Sequence, residues 1–195
     1  MEKKSELIKI IAQAALCTAL CYIGATFIKI DIPVGSEKTM FHLGNVFCVL
    51  AALLLGGGWG GLAGALGMTI SDLTTAYVTS APPTFILKFC IGLIVGLIAH
   101  KAFKISRDGH SAKYIVVATV VSAGGGMLFN MIFDPLVRYF YKIYVLGIQQ
   151  DIAGVIAKMG AVTTAVNAVI AVIVAAIIYI ALRPVMKKAG YLRQI

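Results

Sequence analysis

The sequence predicts an all-α membrane protein of six transmembrane helices with both termini in the cytoplasm, and three observations carry that prediction. Of 195 residues, 60% are hydrophobic and 13% charged, with a mean hydropathy of +0.94, whereas soluble domains are roughly a quarter charged. The apolar residues fall in runs of helix length, and a span uses roughly 20 of them. The basic residues gather between these runs. The N-terminus (Lys3, Lys4, Lys9), one inner loop (Lys101, Lys104, Arg107, Lys113) and the C-terminus (Arg183, Lys187, Lys188, Arg193) hold most of the lysines and arginines, which marks those segments as cytoplasmic.

Helices are expected over 7–28, 43–55, 60–71, 84–102, 114–133 and 157–182, in a single membrane domain spanning 1–195. The segment after helix 1 carries Asp31, Pro33, Gly35, Glu37 and Lys38 and reads as a surface loop. The run Gly56-Gly57-Gly58-Trp59-Gly60-Gly61 reads as a turn between two short helices, with one broken helix as the alternative. Pro82 and Pro83 suit the first turn of helix 4. Residues 134–151, with Pro135, Arg138, Tyr139, Tyr141 and Tyr144, read as an outer loop or helix end.

The formal charge of +9 does not point to nucleic acid, because the bases lie in short groups rather than on a face interleaved with aromatics. Cys17, Cys21, Cys48 and Cys90 sit inside apolar runs without metal-ligand spacing and read as small core residues; no metal and no cofactor is expected. There is no phosphate-binding G-x-x-x-x-G-K-[ST], no H-E-x-x-H and no G-x-S-x-G. The chain is therefore not expected to be an enzyme, and if it transports it draws on an ion gradient or a partner.

Polar groups at membrane depth are costly and so are candidates for function. Lys88 follows the proline pair by about a turn, either snorkelling or facing a ligand. Asn130 and Asp134, four apart, share a helix face, and Asn167 stands in an apolar run, where ligand binding and interhelical hydrogen bonding are both open. His42 opens helix 2 near Asn45 and caps it or closes the preceding loop. Asp72 and Tyr77 are expected to order the loop after helix 3, and Tyr139 is an interfacial aromatic that can also stack. Ala14, Ala15, Thr18 and Ala19 form a small-residue face on helix 1 that invites close helix packing.

The order Phe41-His42-Leu43-Gly44-Asn45, then Gly60/Gly61, Gly64, Gly67 and Asp72, then Pro83 to Lys88 resembles the substrate-binding S components of energy-coupling factor (ECF) vitamin transporters, the riboflavin-type branch in particular. The resemblance implies a six-helix S-component bundle in the bacterial plasma membrane that captures a B-type vitamin or precursor at the outer face. It also implies a transmembrane coupling subunit docked on Ala14, Ala15, Thr18 and Ala19, and two cytoplasmic ATPases. Substrate contacts are expected from His42, Asn45, Lys88, Asn130, Asp134, Tyr139 and Asn167. The ligand could be a B6 vitamer, a pyrimidine precursor, riboflavin or pantothenate, the first two slightly preferred because the pocket has tyrosines and no tryptophan. The alternative is a stand-alone ion-coupled secondary transporter or channel.

Overall fold

The computed structural model describes residues 2–34 and 37–192; Gly35 and Arg193 lie outside the described residues. Six helices form a bundle: α1 (Glu2–Thr26), α2 (Gly44–Leu55), α3 (Gly57–Leu73), α4 (Ala81–Gly96), α5 (Ala112–Tyr144) and α6 (Gln150–Lys188). Four helical stretches, Glu6–Thr26, Val78–Ala102, Ala112–Tyr144 and Gln150–Lys188, are long and apolar enough to cross a membrane. At 1.5 Å per residue, α2 and α3 reach only about 18 and 26 Å, short of a ~30 Å hydrocarbon core.

Gly56 separates α2 from α3 with φ 81°, a left-handed conformation that disfavours any side chain. The expected glycine turn is thus one residue wide, and α3 begins at Gly57 rather than at 60. Its glycines serve contact instead: a Cβ on Gly92 or Gly96 of α4 would collide with the backbone of Gly61 or Gly57 of α3, and one on Gly60 with the backbone of Ala52 of α2. Small residues let these backbones meet where lipid offers no hydrophobic drive for association. α2 is the centre of the bundle, with every residue except Phe47 buried, and it touches α1, α3, α4 and α6.

Two expectations about the connections after α1 and α5 need correcting. The loop between helices 1 and 2 is an antiparallel hairpin, β1 (Lys29–Val34) against β2 (Glu37–His42), in the register Lys29↔His42 to Val34↔Glu37. Alternating Ile30, Ile32 and Val34 suit a strand, and β1 begins where α1 has already stopped at Thr26. Second, α5 does not end at Phe133. It continues through Pro135 to Tyr144, and α6 starts at Gln150, leaving 145–149 as the connection. Pro135 removes one backbone donor, but an Asp134–Arg138 ion pair spans the next turn of the same helix. α6 likewise continues past Pro184 to Lys188.

The hairpin, the end of α3 with the α3–α4 loop, and parts of α5 and α6 line one cavity, while the basic loop after α4 meets the C-terminal end of α6 through Arg183 with the Ile105 carbonyl and Lys187 with Asp108. The α3–α4 seam predicts that Gly92→Leu lowers the melting temperature of purified protein, at a cost of about 1–3 kcal/mol from overpacking. Gly124→Leu is expected to melt like wild type, since nothing lies within 4 Å of a Cβ there.

Candidate functional site: a cavity under the hairpin

A cavity opens at the hairpin end, between β2, the ends of α2 and α3, and the hairpin-side halves of α4, α5 and α6. Its empty space, including the open mouth and the solvent it holds, is about 830 Å³. All seven residues expected to touch substrate, His42, Asn45, Lys88, Asn130, Asp134, Tyr139 and Asn167, line it, as do Asp72 and Tyr77. The fold gathers them from six elements, β2, α2, α3, α4, α5 and α6, and the α3–α4 loop, although they are spread over 126 positions of sequence from His42 to Asn167.

The floor is a buried ion cluster centred on Asp134. One carboxylate oxygen accepts from Arg138 Nε at 3.0 Å and from Thr164 Oγ1 at 3.4 Å, while the other faces Lys88 Nζ at 3.9 Å. Lys88 donates to Asn130 Oδ1 at 3.2 Å. Arg138 Nη2 also donates to Thr84 Oγ1 at 2.9 Å, and that hydroxyl donates to Asp72 Oδ2 at 2.5 Å. Asp72 on α3, Thr84 and Lys88 on α4, and Asn130, Asp134 and Arg138 on α5 thus form one connected network. Breaking a buried charge pair leaves an uncompensated charge and costs about 3–5 kcal/mol.

The roof is the hairpin, held along both strands. Asn167 Oδ1 accepts from the His42 backbone N–H at 3.1 Å and its Nδ2 donates to the Met40 carbonyl at 3.0 Å. Its amide therefore pairs with the β2 backbone as a neighbouring strand would. Thr39 and Thr163 hydroxyls add a bond of 2.7 Å. On β1, the Tyr77 hydroxyl donates to Asp31 at 3.0 Å, Lys29 pairs with Asp31 at 3.3 Å, and the lysine lies over the Tyr77 ring, 5.1 Å from its centroid. Burial, then the bond to Asp31, pushes the Tyr77 hydroxyl pKa up. His42 Nδ1 accepts from the Gly44 N–H at 3.1 Å, capping the start of α2.

Sequence reasoning missed Arg138, Thr84, Lys142, Thr163 and Thr164 as lining residues. Arg138 has a readable signal, its place four residues after Asp134 on one helix face, which shows only when the helix-end reading of that stretch is chosen over the loop. The helix 1 face divides: Ala15 and Ala19 are exposed, whereas Ala14 and Thr18 are half-buried. Thr18 bonds back to the Ala14 carbonyl at 2.8 Å, and Gly67 of α3 packs close to the Thr18 carbonyl. The described residues contain no group of three or more His, Cys, Asp or Glu able to hold a metal.

Burial lowers the His42 pKa from 6.5 to about 3, and the charge of Lys88 adds to the shift. The folded hairpin thus holds a neutral imidazole, while the undocked segment takes up a proton below its ordinary value. The contribution is complete above pH 6.5 and lost as pH falls towards 3. Acidifying from pH 7 to about 5 is expected to loosen the hairpin by up to about 2 kcal/mol, read as faster hydrogen exchange at residues 39–44. His42→Gln removes this pH dependence.

With fold and cavity described, comparison with known proteins gives a consistent answer. No curated protein sequence matches the chain. A solved structure described as the S component of a bacterial ECF transporter superposes with a TM-score of 0.56 at 18% identity, over 95% of this chain and 99% of that one, so the two share a fold. The family described as "ECF-type riboflavin transporter, S component" matches residues 6–184, and with that coverage the chain belongs to this family of multi-pass membrane transporter components.

Proposed function

We propose that the chain is the substrate-capturing subunit of an ATP-driven ECF importer, which binds a B-type vitamin or vitamin precursor at the outer face of the bacterial plasma membrane. Six spans would leave both termini in the cytoplasm. The observation that carries this reading is the cavity itself: polar groups from α2, α3, α4, α5 and α6 converge on one space beneath a hairpin. The basic segments lie at the opposite end, as expected if that end is cytoplasmic. The reading is one of binding without bond chemistry. His42, Asn45, Lys88, Asn130, Asp134 and Tyr139 would meet the ligand, while Asp72, Tyr77 and Asn167 would hold the walls and the lid.

The exposed half of the α1 face, Ala15 and Ala19, would dock a transmembrane coupling subunit, which would link the chain to two cytoplasmic ATPases. Ala14 and Thr18, turned towards the chain's own helices, would set the closeness of α1 to α3 beneath that face.

Proteoliposomes test this directly. The chain alone is expected to bind a vitamin tightly without accumulating it, and to support uptake only with coupling and ATPase subunits and ATP. The double substitution Ala15→Leu and Ala19→Leu is expected to cut that uptake by about tenfold or more, equivalent to ~1.4 kcal/mol of docking, with binding unchanged. Accumulation by the chain alone along an ion gradient would instead identify a stand-alone secondary transporter.

A further inference from the structure

The hydrogen-bonding polarity of the cavity points to a class of ligand, an inference that rests on the capture reading above. Asn130 is 1% exposed, and its Oδ1 is held by Lys88 Nζ, which can only donate. The amide orientation is therefore fixed, and Nδ2 is left as a buried donor with no acceptor in the protein. Lys88, 3% exposed, has three N–H donors and one short acceptor, the same Asn130 oxygen; its nearest carboxylate stands off at 3.9 Å and is already engaged by Arg138. His42 gives a third donor. Its Nδ1 accepts from Gly44, so the neutral ring carries its proton on Nε2. Against these stands one orphaned acceptor, Asn45 Oδ1.

Buried polar groups left without partners in the protein are costly, and a ligand that satisfies them recovers that cost. The charges point the same way. Among the described residues the lining has cations at Lys38, Lys88, Arg138 and Lys142 and carboxylates only at Asp72 and Asp134. Both carboxylates are already bonded, Asp72 by Thr84 and Asp134 by Arg138. Cations outnumber carboxylates along the lining, and each carboxylate already binds a protein donor through its Oδ2, so a cationic ligand would enter against like charge.

We infer that the substrate is a neutral or anionic compound that turns an acceptor-rich oxygen edge, carbonyl, enolate or carboxylate, towards Lys88 Nζ and Asn130 Nδ2, with a donor for Asn45, and that molecules with a fixed positive charge are rejected. Lys88 and Asn130 are then the residues that read polarity, and Asn45 sets the opposite end of the ligand.

Equilibrium binding to the full chain in nanodiscs tests this with four probes: riboflavin (neutral, carbonyl edge), pyridoxine (no net charge at neutral pH), pantothenate (carboxylate) and thiamin (fixed cation). The expected result is tight binding of one of the first three and affinity for thiamin at least about 100-fold weaker, the discrimination expected when polar groups in a site are left unpaired. Asn130→Asp, which turns the orphaned donor into an acceptor beside Lys88, is expected to weaken the bound probe by about tenfold or more, with the melting temperature of the empty protein retained. Thiamin binding as tight as any other probe, or an Asn130→Asp protein that binds like wild type, would overturn the inference and leave vitamin capture standing. Binding of none of the four would overturn both. Should Asn130→Asp fail to purify, the ranking of probes by wild-type protein decides alone.

Discussion

Asp134 is the constraint on which the hairpin half of this protein depends. A single buried carboxylate faces Lys88 from α4 and binds Arg138 on its own helix and Thr164 from α6. Arg138 then extends the network through Thr84 to Asp72 at the end of α3. In an apolar surrounding each of these charges is tolerable only because the others are present. The same contacts that neutralise the cluster also fix the separation of α3, α4, α5 and α6 at one end, and the cavity is the space that separation leaves.

The opposite end is built on a different principle. Glycines bring α3 against α2 and α4 until backbones touch, and α2 is enclosed almost completely. A rigid, close-packed base beneath a polar, partly open top suits a protein that accepts a small molecule without rearranging its helices. The hairpin completes the top. Asn167 pairs with the β2 backbone as a strand would, whereas β1 is held through side chains by Tyr77, Asp31 and Lys29. Freeing β1 from the buried Tyr77 breaks one side-chain hydrogen bond, to Asp31, and the stacking of Lys29 over the ring. Opening the lid at Asn167 exposes a buried amide and two backbone groups.

Much of this was legible in the sequence because membrane proteins write their constraints in plain periodicities. Apolar runs, glycine punctuation and the Pro82-Pro83 start placed the helices, and the cost of burying Lys88, Asn130, Asp134 and Asn167 marked them as lining residues before any fold was known. The failures have physical reasons. Residues 134–151 are mixed and charged, so hydropathy leaves a loop and a helix end both open there, and Pro135 favours placing the end of the helix too early, at 133. Arg138 falls beyond that end. The hairpin was hidden because its two strands are six residues each and mixed in polarity, although the alternation of Ile30, Ile32 and Val34 before Gly35-Ser36 carried a hairpin signal. The role of Asn167 as a surrogate strand edge depends on where β2 comes to lie, which no local pattern encodes.

Asp134 is the shared counter-charge of Lys88 and Arg138, and thermal unfolding of two variants measures what that sharing is worth. Asp134→Asn strands two cations and is expected to lower stability by about 3–5 kcal/mol, while adding Lys88→Met to that variant should recover part of the loss by removing one of them. An Asp134→Asn protein that melts like wild type, or a double variant less stable than the single one, would contradict the account.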